Sequence, residues 1–147
     1  MTTRYGSTFT GTFADSTTPP AKVDGGKNGA KLRRITEIFD LSTATFASGD
    51  VLFVGRLPIG AYFDSVTLDS SVSLGTSTVS VGSAGSPAKY RAAATFTAVD
   101  TPTGFGPAAA KAQAALTAPE DVFVTIATAN LPASGTLVVE LNFRVAA

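Results

Sequence analysis

Val51–Gly82, VLFVGRLPIGAYFDSVTLDSSVSLGTSTVSVG, is the stretch that decides the fold class. It predicts three strands in succession. Val51–Leu57 is the first and ends at the corner Pro58–Gly60. Tyr62–Asp69 is the second, with Tyr62, Val66 and Leu68 at even spacing. Ser70–Gly75 connects it to the third, Thr76–Gly82, where Val79 and Val81 alternate with Thr78 and Ser80. Period-two patterning, β-branched residues and Pro/Gly punctuation together describe an antiparallel meander.

The same pattern continues on both sides. Upstream, Lys31–Leu41 is predicted as a strand with Ile35, Glu37, Phe39 and Leu41 on one face and Thr36, Ile38 and Asp40 on the other. Apolar residues on both faces place it inside a sandwich or at an interface. Downstream, Ser83–Ala88 is a predicted turn, and Ala88–Phe96 alternates like a strand while its alanines favour a helical turn. Thr101–Pro107 is a predicted loop. Ala108–Leu116 follows Pro107 and has the best helix propensity in the chain. Asp121–Thr128 is a strand with Val122, Val124 and Ile126 on one face and Phe123 and Thr125 on the other. Thr136–Val145 is the most regular, with Leu137, Val139, Leu141, Phe143 and Val145 inward and Val138, Glu140, Asn142 and Arg144 outward. Six or seven strands joined by Gly/Pro/Ser turns predict an all-β, antiparallel β-sandwich with at most one short helix. A jelly roll fits better than an immunoglobulin-like sandwich, which lacks here its Cys and Trp core.

Residues 1–30 read differently. Five glycines and Pro19–Pro20 argue for an extended N-terminal arm preceding a sandwich domain over residues 31–147. Tyr5, Phe9 and Phe13, four residues apart, are apolar anchors for a partner surface, with Arg33 and Arg34 near the root of the arm. Residues 1–34 carry six basic and two acidic residues, a net charge of +4, whereas the rest carries five basic and nine acidic, a net charge of −4. A basic arm on an acidic body suits docking on acidic neighbours, including a second copy of the same body.

Reactive chemistry is sparse. The chain has no Cys and no His, which removes thiolate, Ser-His-Asp and Cys-His catalysis. Carboxylates remain. Asp64 and Asp69 flank one strand and Glu120-Asp121 opens another, without the facing pair that glycoside hydrolysis needs. Asp64, Asp69 and Asp100 are too scattered for a calcium loop. Gly25–Gly29 lacks the strand and the closing residues of a phosphate loop. No catalytic residue, cofactor or metal site is expected. Alternating residues on a strand point to opposite faces, so Arg33 and Arg34 cannot serve one groove, and nucleic acid is not expected as a partner. No apolar run reaches the ~20 residues of a membrane span, and the N-terminus lacks the pattern of a Sec-type signal.

A strand ending in LPIGA, then YFDSVTLD, LGTSTVSVGSAG, YRAAATF and a late hairpin, DVFVTIATANLPASGTLVVELNF, together resemble small structural proteins of tailed bacteriophages: capsid decoration or cement proteins and related head-fibre proteins. The resemblance implies a β-sandwich that binds the outer surface of the major capsid protein shell and stabilises it. It further implies a homo-oligomer, with a trimer favoured, made in the host cytoplasm and placed on the virion. A receptor- or glycan-binding module of a head fibre or tail is the alternative. Its candidate platforms are Tyr62 with Asp64 and Tyr90 with Arg91.

Overall fold

A computed structural model describes residues 30–146. Eight strands fold in chain order: β1 Lys31–Asp40, β2 Val51–Leu57, β3 Tyr62–Ser70, β4 Thr78–Ser83, β5 Ser86–Thr95, β6 Thr103–Phe105, β7 Glu120–Ala127 and β8 Thr136–Val145. One helical turn, α1 Ala108–Lys111, lies between β6 and β7. They form two antiparallel four-stranded sheets, ordered β1-β8-β3-β6 and β2-β7-β4-β5. First pairs with last, second with seventh, third with sixth and fourth with fifth, as in one long hairpin rolled into a double-sheet jelly roll.

Two sequence expectations are corrected by this wiring. β2, β3 and β4 do not pair with one another as a meander, because β3 lies in the opposite sheet from β2 and β4, and β7 separates those two. Likewise β7 and β8 do not make a hairpin: one is in each sheet. The reason is burial. Val122, Val124 and Ile126 of β7 and Leu137, Val139 and Leu141 of β8 are all fully buried, and both strands sit inside their sheets. Two such apolar rows cover each other best across the core rather than edge to edge.

Smaller differences follow the same logic. β6 forms within the expected loop because Thr103–Phe105 pairs with Val66–Leu68 of β3. Ala88–Phe96 resolves as strand, since the ladder to β4 outweighs the helix propensity of three alanines. The expected helix is reduced to one turn, because only Ala110 of it is buried.

The core lies between the sheets, with Leu52, Val54 and Leu57 of β2, Phe63, Val66 and Leu68 of β3 and Val79 and Val81 of β4 joining the β7 and β8 rows. At one side the sandwich is pinched shut. A Cβ on Gly55 would lie 2.8 Å from Ile35 Cγ2, so glycine at this β-bulge lets β2 approach β1. At the other side aromatic rings fill the gap. Phe63 stacks on Tyr90 at 4.1 Å, and Phe96 meets Phe105 edge-on at 6.4 Å.

Candidate interaction surface

The polar side chains that chemistry would need are tied to the fold. Glu120, opening β7, accepts from the Tyr90 hydroxyl with one carboxylate oxygen and from Lys89 Nζ at 2.6 Å with the other. Burial, then the bond to Glu120, pushes the Tyr90 phenol well above its ordinary range. This triad locks β5 to β7 at the end where the inter-sheet Phe63–Tyr90 stack sits. A consequence is alkaline sensitivity. The raised phenol pKa means that the stability this group contributes is fully present below about pH 10 and is lost progressively above it, as tyrosine ionises in the unfolded chain but not in the fold. The added slope is about 1.4 kcal/mol per pH unit. Denaturation of Tyr90→Phe between pH 9 and 11 should lack that slope, and a variant that keeps it would contradict this assignment.

Arg91 is buried beside it. Its guanidinium donates to the main-chain carbonyls of Val79, Ala92, Ala94 and Thr95 and lies 4.4 Å from the Phe105 ring. Burial pulls its pKa below the usual arginine range. An open groove of about 460 Å³ runs along β5 and β6 between Tyr90, Arg91, Phe105 and Pro107. The fork of Arg91 points at backbone carbonyls and holds the bulged β5 in place. Tyr90 is buried too, so the Tyr90–Arg91 pair cannot serve as an exposed sugar platform. Tyr62 and Asp64 do meet at the surface: Arg144 Nε lies 3.6 Å from Asp64 Oδ1, and its guanidinium 5.9 Å from the Tyr62 ring. Asp64, Asp69 and Asp100 do not converge, and among the described residues no group of three His, Cys, Asp or Glu could hold a metal ion. No described helix is long and apolar enough to cross a membrane.

What the described surface does offer is apolar area. Leu32 (63% exposed) and Ile38 (61%) stand on the outer face of β1, Val51 (59%) and Phe53 (51%) on that of β2, and Ile59 (64%) at the Pro58–Gly60 corner. Phe53 meets Phe123 of β7 edge-on at 5.7 Å. Beside Val51 and Phe123 a concavity of about 240 Å³ is lined also by Thr125, Ser83, Ala84 and Pro87. β1 and β2 belong to opposite sheets, so Leu32 and Ile38 face away from Val51 and Phe53. The group Val51, Phe53 and Phe123 on the outer face of the β2-β7 pair suits protein contact. Phe53 was not legible as a contact residue. The signal is that VLFV and DVFV each put a phenylalanine on the face opposite the core valines and leucines.

Of the expected arm anchors, Tyr5, Phe9 and Phe13 lie outside the described residues. Arg33 and Arg34 sit on opposite faces of β1. Arg34, on the outer face, donates from Nε to Asn142 Oδ1 at 2.9 Å and from a terminal nitrogen to Glu140 Oε1 at 3.2 Å. Arg33 is exposed and has no hydrogen bond or ion pair among the described residues.

No family model matches the chain, and no curated protein matches it. Solved structures do. A chain of the Cyanophage Pam1 capsid asymmetric unit is 22% identical, with a TM-score of 0.65 over 90% of this chain and 99% of that one. A chain of the capsid of Ralstonia phage GP4 is 20% identical, with a TM-score of 0.60 over 80% of this chain and 85% of that one. A chain of the acidic stable capsid of Helicobacter pylori bacteriophage KHP30 is 17% identical, with a TM-score of 0.58 over 79% of this chain and 89% of that one. The likeness is one of fold.

Proposed function

We propose that this chain is a non-enzymatic virion structural protein, a capsid cement or decoration protein that binds the outer surface of a major capsid protein shell and stabilises it. The observation that carries this reading is the fold shared, over four-fifths of the chain or close to it, with chains of three phage capsid structures. The side-chain inventory supports it. Glu120 and Arg91 are engaged within the fold, while Val51, Phe53 and Ile59 are left to solvent. The mechanism is adhesion. The sandwich bridges neighbouring capsid subunits through its apolar outer face, and residues 1–30 reach a neighbour with Tyr5, Phe9 and Phe13 as anchors. Many weak contacts repeated on one lattice act together as avidity.

Shells assembled from the major capsid protein should deplete the full-length chain from solution and release DNA at a higher temperature once decorated. Removal of residues 1–30 should lower occupancy on the order of tenfold or more. Unchanged occupancy and DNA release would remove the arm from the mechanism, and failure of the full chain to bind shells would overturn the reading. The second reading, a glycan-binding module of a fibre or tail, draws on Tyr62, Asp64 and Arg144 at one surface. Clear binding on a glycan array would favour it.

A further inference from the structure

β1 ends its sheet, and its outer edge has no strand beside it among the described residues. Proteins blunt such edges with short strands or bulges. The opposite edge, β6, is three residues long, and β2 and β5, the edges of the other sheet, are interrupted by register shifts. β1 has neither protection: ten consecutive residues pair with β8 in unbroken register. Its charges are segregated, with Lys31, Arg33 and Arg34 in the first half and Glu37 and Asp40 in the second. A strand of that pattern repels a parallel copy and attracts an antiparallel one.

We propose that β1 pairs with β1 of a second copy across a two-fold axis, with Ile35 opposite its own equivalent, joining two four-stranded sheets into one of eight. The register follows from the residues. A two-fold perpendicular to the sheet keeps both cores on the same side, so inward residues must face inward residues. Centring on Ile35 sets Arg33 opposite Glu37 of the second copy on the inner face and Leu32 opposite Ile38 on the outer face, each pair twice. Arg33 and Glu37 are the charges of β1 that have no hydrogen bond or ion pair to another described residue besides Lys31. Leu32 and Ile38 are the strand's exposed apolar residues. Sliding one same-face step in one direction brings Arg34 against Arg34. In the other direction it leaves Arg33 opposite Phe39 and Leu32 opposite Asp40. A flipped copy would put the core face of one sheet beside the solvent face of the other and Ile38 against Arg33.

The test uses the full chain, whose lack of cysteine makes crosslinking unambiguous. Leu32 and Ile38 of one strand are roughly 20 Å apart, so a disulfide between them can only join two copies. Under mild oxidation L32C/I38C should give a covalent dimer, and neither single variant should. In sedimentation, Arg33→Glu should weaken the dimer on the order of tenfold, and R33E/E37R should restore it. All these side chains lie at an exposed edge, so an unchanged melting temperature confirms that folding is intact. A monomer, a trimer indifferent to R33E, or crosslinking by a single variant overturns the proposal. Because the pairing is read in solution, its failure and the failure of shell binding are separate results.

Discussion

Gly82→Ala should lower stability by about 3 kcal/mol, the upper range for forcing atoms into a packed site. A Cβ on Gly82 would overlap the Ser86 carbonyl oxygen and come within 2.7 Å of the carbonyl carbon and oxygen of Pro87. Those are backbone atoms, which cannot rotate away as a side-chain tip would. The contact exists because β4 and β5 meet with a register shift between Val81 and Ser83, and the start of β5 folds over the strand. Relief would require the tight connection at Ala84–Gly85 to open, and β4 is an interior strand of its sheet. Urea denaturation should show a fall in midpoint without a change in slope, and the melting temperature should drop by roughly 10 °C. Gly85→Ala supplies the control. Nothing lies within 4 Å of a Cβ there, so its cost should stay within about 0.5 kcal/mol. Pro87 also lines the apolar concavity, so G82A should weaken whatever that face binds. Equal stability of the two variants would refute the close approach.

Arg91→Met should cost about 2 kcal/mol. Methionine keeps most of the stem volume but cannot donate to the carbonyls of Val79, Ala92, Ala94 and Thr95. Of these the Val79 carbonyl is buried, whereas Ala92, Ala94 and Thr95 are exposed. A buried carbonyl left without a donor costs about 1–3 kcal/mol, and relief from burying a charge offsets part of that. The loss should be local as well as global. Phe105 packs against the guanidinium, so amides of Thr103–Phe105 should exchange faster with solvent than those of β7 or β8. Arg91→Lys should recover less than half, because a compact ammonium cannot reach several carbonyls and lie over a ring at once. A fully stable R91M would mean that the cost of burying the charge equals the worth of its bonds.

Strand faces were legible because a strand alternates. The row Leu137-Val139-Leu141 is inward as read, Val122, Val124 and Ile126 share one face as read, and Ile38 lies on the face opposite Ile35 and Phe39 as read. Which face of β1 and β7 is buried came from the structure. Candidate surface residues were legible only in part. Arg33 and Arg34 were found by charge, but the engagement of Arg34 with Glu140 and Asn142 spans more than a hundred residues and leaves no local trace. Nor does Arg91 differ in sequence from a solvated arginine. Its burial follows from the β5 bulge and from Phe105, in a strand too short to carry a periodic signal.

By itself the sequence determined an all-β chain, where most of its strands lie, which face of each is apolar, and a near absence of reactive side chains. Only the tertiary structure decided which strands are neighbours. Local alternation fixes the direction of side chains but not the partner of the backbone, and connections of a few residues suit a hairpin or a crossing between sheets equally well. The choice went to the arrangement that lays the two most apolar rows, β7 and β8, against each other through the core, and that same choice puts β1 at the end of its sheet among the described residues.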